Sequence, residues 1–434
     1  MDRSTSTAGP PPSNKRRNIL SPTRIQALND DIMCSVFSFL DLVHLIRCTS
    51  VCKSWSGVID KSKLLQILCC KQRGFLGGDF DLPTSSERTW KSKLRDLAIS
   101  QHRSALHTGH VDIYQWKGHS DGIDRCKMKM GLILTGGSGK VLRLWSVERY
   151  KCLAEYSLPQ TGSLIDFNFD ESKVVGLVGN RICLWRRNER RSIFTSQSGQ
   201  FPKSACMCYV DPEAVVGCED GRARVFDMYG RKWSRIIKMH NGPITCLSLS
   251  DDQLLIGGSS FGHIALSDLS SDQQVATLKT NDFAGLTTLC YNSRSHIVFS
   301  GSRSGRASSW DLRMMKQLWE ARVSPNIISS IQHMRDDISI LAVGGIDGVV
   351  RLVDPQNGEF LSNCIIYESS RKLNSLETCN SIVTRKKGLR VSEDARFDLM
   401  PRISRPSISC LAVGMQKVVT THADGYIRVW KFSK

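Results

Sequence analysis

The chain has 434 residues, 41% of them hydrophobic, and a formal net charge of +18. This length allows two or three domains, or a repeat array with a small extra module, and the positive charge favours acidic partners. No apolar run reaches the roughly 18 residues of a transmembrane helix, and the first residues lack the apolar centre of a secretory signal. We therefore expect a protein of the cytosol or nucleus without a membrane partner.

The cysteines and histidines do not have the spacing of a metal site. Sixteen cysteines are scattered along the chain without any CxxC pair, and in a reducing compartment such residues are mostly small buried side chains. His102, His107, His110 and His119 lie near one another but lack the paired cysteines of a zinc site. The sequence therefore predicts neither a bound metal nor another cofactor.

The N-terminal region divides into three segments. Residues 1–18 are rich in Ser, Thr, Pro and Gly, which predicts a disordered tail. Residues 19–60 carry three short helical patterns, and Ser50 is expected to cap the third helix. Residues 61–103 predict a helical linker interrupted by a loop rich in Gly, Pro and Ser.

The three short helices carry more apolar side chains than they can bury among themselves. About 40 residues is near the lower limit for independent folding. We therefore expect that another protein covers part of this surface. The apolar positions that recur at helical spacing in the first and third patterns are Ile32, Val36, Phe37, Leu40, Val51 and Trp55.

From about residue 104 onward, short β-branched runs alternate with turns rich in Gly, Asp and Ser. Seven segments repeat one pattern, a strand ending near glycine, a tight polar turn and a second strand, at intervals of about 40 residues, which is typical of propeller blades with four strands each. The anchor residues of the second strands are Trp145, Trp185, Phe226, Ser267, Trp310, Val353 and Trp430.

The end of the chain leaves no room for a fourth strand in the last blade. The unassigned segment 110–117 is predicted to pair into that blade and close the ring, which removes two exposed sheet edges. Between Val353 and Trp430 the interval is longer and contains a basic insertion, residues 368–407, with few periodic apolar positions. We interpret this insertion as a long surface loop.

Residues 28–55 resemble the F-box motif without a gap. The family pattern has a leucine, acidic residues, an aliphatic–aromatic pair, a second leucine and a final Val-Cys-Lys-x-Trp. The matching residues here are Leu28, Asp30, Asp31, Ile32, Val36, Phe37, Leu40, Leu45, Val51, Cys52, Lys53, Ser54 and Trp55. Asn29 and Val43 stand where the family often has proline, which implies modestly weaker adaptor binding.

The repeats are similar to the WD-repeat family. The matching dipeptides are Gly118-His119, Trp310-Asp311, Asp220-Gly221, Asp347-Gly348 and Asp424-Gly425. No repeat carries the complete pattern, so the internal hydrogen-bond networks are expected to be partial. The predicted fold class is mainly β, a seven-bladed WD-repeat propeller over residues 104–434 preceded by a small three-helix F-box domain over residues 19–60.

The two resemblances together imply a substrate-recognition subunit of a Skp–cullin–F-box (SCF) ubiquitin ligase. F-box proteins dock on a Skp-family adaptor and, through it, on a cullin. Such a receptor is not an enzyme, because it acts by holding a protein substrate near a charged ubiquitin carrier. The residues that the resemblance assigns to adaptor binding are Leu28, Ile32, Val36, Phe37, Leu40, Leu45, Val51, Cys52 and Trp55. For Ile32, Leu40 and Leu45, an equal alternative is that they only hold the helices together.

The propeller is expected to bind the substrate on the face that carries its inter-strand turns. In related receptors that read phosphorylated targets, basic residues at such positions hold phosphate, and the candidates here are Arg125, Lys140 and Arg303. The alternative interpretation is that these are solvated turn residues. A second functional hypothesis is a scaffold that organises a multiprotein or nucleic-acid-associated complex, although no RNA-recognition motif is visible.

Two short motifs suggest enzymes but lie in the wrong context. Residues 258–262 fit GxSxG, which requires a strand-to-helix turn in a hydrolase, whereas here the motif falls in a predicted hairpin. Gly139-Lys140 is followed by Val141 instead of the Ser or Thr of a phosphate-binding loop. Neither motif predicts catalysis.

Overall fold

The computed structural model describes residues 28–40, 42–65, 67–68, 104, 106, 110–160, 162–189, 192–197, 202–280, 283–334, 339–366, 375–378, 381–391, 405–414 and 417–433. The chain forms two compact units, residues 1–100 and 101–434. The predicted tail over residues 1–18 and the linker beyond residue 68 are outside the described residues.

The first unit contains three short helices, α1 (Asp30–Ser38), α2 (Leu42–Thr49) and α3 (Lys53–Lys61). Cys52, and not the predicted Ser50, is the N-cap residue of α3, where its Sγ accepts a hydrogen bond from the backbone N–H of Trp55 at 3.5 Å. The prediction was wrong because it considered only the usual oxygen-bearing caps.

The helices pack around one small apolar core. Its fully or nearly fully buried members are Met33, Phe37, Leu45, Val58, Ile59 and Leu65. Phe37 also meets the ring of Trp55 edge-on, with ring centroids 5.4 Å apart. This core fixes which side of each helix faces inward, and therefore which side remains exposed.

The second unit is a seven-bladed β-propeller, as predicted. It begins with strand β1 (His110–Lys117). Blade one consists of β2 (Ile123–Lys129), β3 (Leu132–Gly137), β4 (Val141–Ser146) and β5 (Cys152–Ser157). Blade two consists of β6 (Leu164–Phe169), β7 (Lys173–Val178), β8 (Arg181–Arg186) and β9 (Ser192–Thr195). Blade three consists of β10 (Ser204–Val210), β11 (Glu213–Cys218), β12 (Arg222–Asp227) and β13 (Lys232–Lys238).

The remaining blades have the same antiparallel arrangement. Blade four consists of β14 (Ile244–Leu249), β15 (Leu254–Ser259), β16 (His263–Asp268) and β17 (Gln273–Lys279). Blade five consists of β18 (Leu286–Asn292), β19 (Ile297–Ser302), β20 (Arg306–Asp311) and β21 (Lys316–Arg322). Blade six consists of β22 (Ile328–Met334), β23 (Ile340–Gly345), β24 (Val350–Val353) and β25 (Phe360–Ile366). The insertion contributes β26 (Ser375–Thr378) and β27 (Ser381–Val391), and the last strands are β28 (Ile408–Gly414), β29 (Lys417–His422) and β30 (Tyr426–Ser433).

The innermost strands of the blades form a closed ring. Strand β2 contacts both β6 and β28, and the other innermost strands contact one another in chain order. The seven anchor residues lie on the third strand of each blade, which is the second strand of the repeated sequence pattern, and all are buried. Apart from Ser267, the anchor residues are apolar, and they account for the repeat in the sequence because each blade buries its faces only against its neighbours.

The ring closes as the sequence predicted. Strand β1 pairs antiparallel with β30 along its whole length, from His110 opposite Ser433 to Lys117 opposite Tyr426. β1 is therefore the outermost strand of blade seven. A buried hydrogen bond from Arg428 Nε to Gln115 Oε1, at 3.1 Å, adds a side-chain link across the closure.

The insertion differs from the predicted loop, because residues 381–391 form a strand. β27 pairs with β1 on one edge and with β25 on the other, so it joins the outer strands of blades six and seven into one sheet. The outermost strand of a blade presents unpaired backbone groups to any neighbouring chain. Strand pairing of this kind needs no apolar periodicity, which is why the sequence pattern did not reveal it.

Candidate functional site

One face of helix α1 remains exposed. Ile32 and Val36 follow each other at successive turns of α1, Leu28 lies just before the helix, and all three side chains are exposed. Val51, just before α3, is also exposed. Phe39, at the end of α1, has 89% of its side chain in solvent and was not among the predicted residues. An exposed aromatic beside an aliphatic row is typical of a binding anchor.

Two of the predicted contact residues lie in the core of the helical unit. Phe37 is 2% exposed and Leu45 is fully buried, so both pack the three helices together instead of offering surface. Phe37 faces inward because its neighbour Val36 lies about 100° around the helix and takes the outward position, and a role of Phe37 in adaptor binding stays a prediction. Leu40, Cys52 and Trp55 are half-buried, and their side chains also contact this core or cap α3.

Trp55 packs against the core of the helical unit. Its ring packs against Phe37, and its indole N–H is buried without a hydrogen-bond partner in the described part of the chain. Because a buried N–H without a partner is energetically unfavourable, the residue contributes through packing and not through a polar contact.

Two of the predicted substrate residues lie on one end of the propeller. This end, which we call the upper face, carries the connections between blades and the turns between the second and third strands of each blade. Lys140 lies in the turn of blade one, where its Nζ donates to the carbonyl oxygen of Gln160 at 2.5 Å. Arg303 lies in the turn of blade five, exposed, and its backbone N–H donates to the carbonyl of Gly285 at 3.0 Å. Other blades separate the two residues in both directions around the ring, so they do not form one pocket.

Arg125 lies on the innermost strand β2, at the central channel. Its side chain is half-buried, and burial acts to lower its pKa, but the carboxylate of Asp166 together with Cys410, Cys206 and Asp124 raises the pKa of Arg125, so its charge is retained. Asp166 itself accepts backbone hydrogen bonds from Phe167 at 2.9 Å and from Met207 at 3.1 Å. Arg125 therefore keeps its positive charge beside a channel carboxylate.

The channel wall also contains thiols of unequal acidity. Cys410 Sγ lies 3.5 Å from the carbonyl oxygen of Cys126. A hydrogen bond from Cys126, and then the positive charges of Arg125 and Lys127, hold the pKa of Cys410 below the usual range, although burial opposes this. Near the opposite end of the channel, a cavity of about 340 Å³ includes Lys127 and Lys129 in its lining.

Hydrogen bonds connect buried side chains inside blade one. In blade one, Thr135 Oγ1 lies 2.9 Å from His119 Nε2 and accepts from Trp145 Nε1 at 2.9 Å. Burial, followed by the charge of Arg143, lowers the pKa of His119 to about 4. Blade one therefore has a connected network, which is more than its partial sequence match implied.

The motifs that suggested enzymes lie in turns. Residues 260–262 connect β15 and β16, and residues 138–140 connect β3 and β4, so no helix follows either motif. Among the described residues, no group of three His, Cys, Asp or Glu side chains is arranged to hold a metal ion, and no helix is long and apolar enough to cross a membrane.

Comparisons with known proteins match both units. The F-box domain model matches residues 25–67. An F-box/WD-40 repeat-containing protein of Arabidopsis thaliana is 48% identical over 437 aligned residues, covering 95% of each chain. An F-box protein of Saccharomyces cerevisiae is 22% identical over 28% of this chain and 23% of its own. The crystal structure of the computationally designed Ika8 protein matches 73% of this chain and 98% of its own, with a TM-score of 0.53 and 18% identity, which concerns the fold alone.

Proposed function

Because this chain belongs to the F-box/WD-repeat proteins, whose F-box implies binding to a Skp1-type adaptor, we propose that it is the substrate-recognition subunit of an SCF ubiquitin ligase. Its helical unit docks on the adaptor and, through it, on a cullin. Its propeller holds a target protein for ubiquitination. Proteins of this family are typically non-enzymatic adaptors, and the chain acts by raising the effective concentration of its target near the ubiquitin carrier. We place this activity in the cytosol or the nucleus.

The observation that supports this proposal is the exposed row on α1. Leu28, Ile32, Val36 and Phe39 remain in solvent although the same three helices bury a compact core around Phe37. A small helical unit gains stability when such a row is removed from water. The row lies within the residues that match the F-box domain, so an adaptor is the partner that it is expected to meet.

A co-purification experiment tests the adaptor contact. The double variant Ile32→Ser/Val36→Ser changes only exposed side chains, so the unit is expected to fold and to lose Skp and cullin. The matched control is Ile236→Ser, an equally exposed apolar side chain on β13 of the propeller, which is expected to retain both. If the wild-type chain brings down neither protein, the scaffold hypothesis replaces the ligase.

A ubiquitination assay tests the second half of the proposal. Proteins that accumulate in cells expressing Ile32→Ser/Val36→Ser instead of wild type are the candidate targets. A true target is expected to bind the propeller of both forms and to be ubiquitinated only with the wild type. Equal ubiquitination with both forms would show that the α1 row has no role in the reaction.

A further inference from the structure

The upper face of the propeller carries an uneven distribution of apolar side chains. Among the described residues, the large apolar side chains that are exposed in its turns and blade connections all belong to blades four to six. They are Phe261, Phe283, Ile327 and Ile346. Single exposed apolar residues are normal on protein surfaces, but a contiguous group of them indicates a binding surface.

Contacts between loops bring the first part of this group together. The turn of blade four packs on Gly285, because a Cβ atom at that glycine would lie 2.7 Å from the carbonyl oxygen of Ser260. The carbonyl oxygen of Gly285 also accepts the backbone N–H of Arg303 at 3.0 Å. Gly285 therefore connects three positions. Phe261 directly follows Ser260, Arg303 donates to Gly285, and Phe283 lies two residues before Gly285 in the same connection.

The same kind of contact extends the group to blade six. A Cβ atom at Gly305 would lie 2.7 Å from the carbonyl oxygen of Asn326, so the turn of blade five packs on the next blade connection. The backbone N–H of Ile346 donates to the carbonyl of Ile327 at 3.2 Å. These contacts form a continuous arc over three blades, and we call Phe261, Phe283, Arg303, Ile327 and Ile346 the apolar crescent.

Phe261, one member of the crescent, is held in place before any partner binds. Phe261 covers Gly242, where an added Cβ would lie 2.2 Å from the ring, and Ser259 Oγ accepts the backbone N–H groups of Phe261 at 3.2 Å and His263 at 3.1 Å. A preorganised surface loses less conformational entropy on binding than a mobile one.

Arg303 supplies one positive charge within this apolar arc. Its exposed guanidinium takes part in none of the ion pairs formed by the described residues, whereas its neighbour Arg306 pairs with Glu320 at 3.2 Å. One planar guanidinium matches one carboxylate through two parallel hydrogen bonds. A phosphate, with a charge near −2, is usually bound by more than one cation.

We propose that the apolar crescent binds a segment of a target protein in which an Asp or Glu lies between apolar side chains. The carboxylate pairs with Arg303, while the flanking apolar side chains cover Phe261 and Phe283 on one side and Ile327 and Ile346 on the other. This inference rests on the proposed function in one respect, that the propeller is the part that holds the target. It adds the location of the site and the chemical pattern that it recognises.

Selection from a display library of random peptides tests the pattern. The full-length chain is expected to enrich peptides that carry one acidic residue flanked by apolar ones. The variant Arg303→Glu is expected to bind the selected peptides with at least about tenfold lower affinity than the wild type. The same loss is expected for the separate double variant Phe261→Ser/Phe283→Ser. The matched control, Tyr229→Ser/Met314→Ser, removes equally exposed apolar side chains from turns at the opposite end of the propeller and is expected to leave affinity unchanged.

A charge exchange makes the test specific for the carboxylate. Peptides in which Lys replaces the acidic residue are expected to lose binding to the wild type and to regain it with Arg303→Glu. Arg303 is exposed, so this variant is expected to keep the wild-type unfolding temperature even if the double Phe variant does not. Enrichment of no pattern, or equal binding by Arg303→Glu, would each overturn the proposal.

Failure of this inference is separable from failure of the proposed function. Arg303→Glu is expected to co-purify with Skp and cullin as the wild type does, while Ile32→Ser/Val36→Ser is expected to keep its affinity for the peptides. Peptide binding without any adaptor in the wild type would leave the crescent standing and reject the ligase. An adaptor complex that selects no such peptide would reject the crescent as a binding site and leave the ligase proposal standing.

Discussion

The ion pair between Asp347 and Arg351 in blade six allows a quantitative test of how the propeller is stabilised. Both side chains are almost completely buried, at 6% and 2% exposure. Arg351 donates from Nη1 to Asp347 Oδ1 at 3.1 Å and from Nη2 to Oδ2 at 2.5 Å. Asp347 Oδ1 also accepts the backbone N–H of Val349 at 3.2 Å, so the carboxylate holds the turn as well.

Arg351→Met removes the cation and leaves the carboxylate of Asp347 buried without its main partner. Breaking a buried pair in this way destabilises proteins by about 3–5 kcal/mol, mostly through the cost of the uncompensated charge. The double variant Asp347→Asn/Arg351→Met also removes that charge and keeps an oxygen for the N–H of Val349. We therefore expect the double variant to be more stable than Arg351→Met by on the order of 1 kcal/mol or more.

Urea unfolding followed by tryptophan fluorescence measures both differences, provided that the slope of the transition does not change. The matched control is Arg186→Met, because the pair between Arg186 and Glu189 is largely exposed and such pairs contribute about 0–1 kcal/mol. If Arg351→Met is no more destabilising than the control, or if the double variant is less stable than Arg351→Met, the reasoning from the buried charge is refuted.

Two further predictions concern buried side chains near the closure of the ring. The pKa of His119 lies near 4 in the folded chain, below its usual 6.5. The neutral ring therefore contributes stability that is lost as pH falls from about 7 towards 4. Between pH 7 and 5, the free energy of unfolding is expected to fall by on the order of 1–2 kcal/mol. Urea midpoints at both pH values should show a shallower dependence in His119→Gln, and an unchanged dependence would contradict the assignment. Trp116 is fully buried against Trp145 and Tyr150. Its change to Ala is expected to lower the free energy of unfolding by about 3–5 kcal/mol. The loss on change to Phe is expected to be under half as large, since the indole N–H has no partner among the described residues, and equal losses in the urea midpoints of the two variants would count against this packing role.

The propeller was largely predictable from the sequence because its determinants are local and repeated. Each blade needs a buried anchor on its third strand and a tight turn before it, so Trp145, Trp185 and Phe226 recur at nearly constant spacing. The closure by β1 followed from counting strands, since a ring cannot leave one blade incomplete. The F-box followed from a contiguous motif in which every matching residue lies within one short segment.

Only the tertiary structure decided which apolar residues are surface and which are core. Val36 and Phe37 are equally apolar neighbours, and packing against α2 and α3 turned Phe37 inward and left Val36 outside. Phe39 carried a weak signal, an aromatic residue at a helix end. Phe261 carried a similar one, since it precedes a turn glycine where other blades have aspartate.

By itself, then, the sequence determined the two folds, the number of blades and the segment that closes the ring, because these follow from a contiguous motif, from short-range periodicity and from the count of strands. The tertiary structure decided that residues 381–391 join blades six and seven, and that turns from three blades meet around Gly285 and Gly305. These features depend on segments far apart in the chain, whose meeting is set by the curvature of the ring and by backbone hydrogen bonds that leave no pattern in side-chain type.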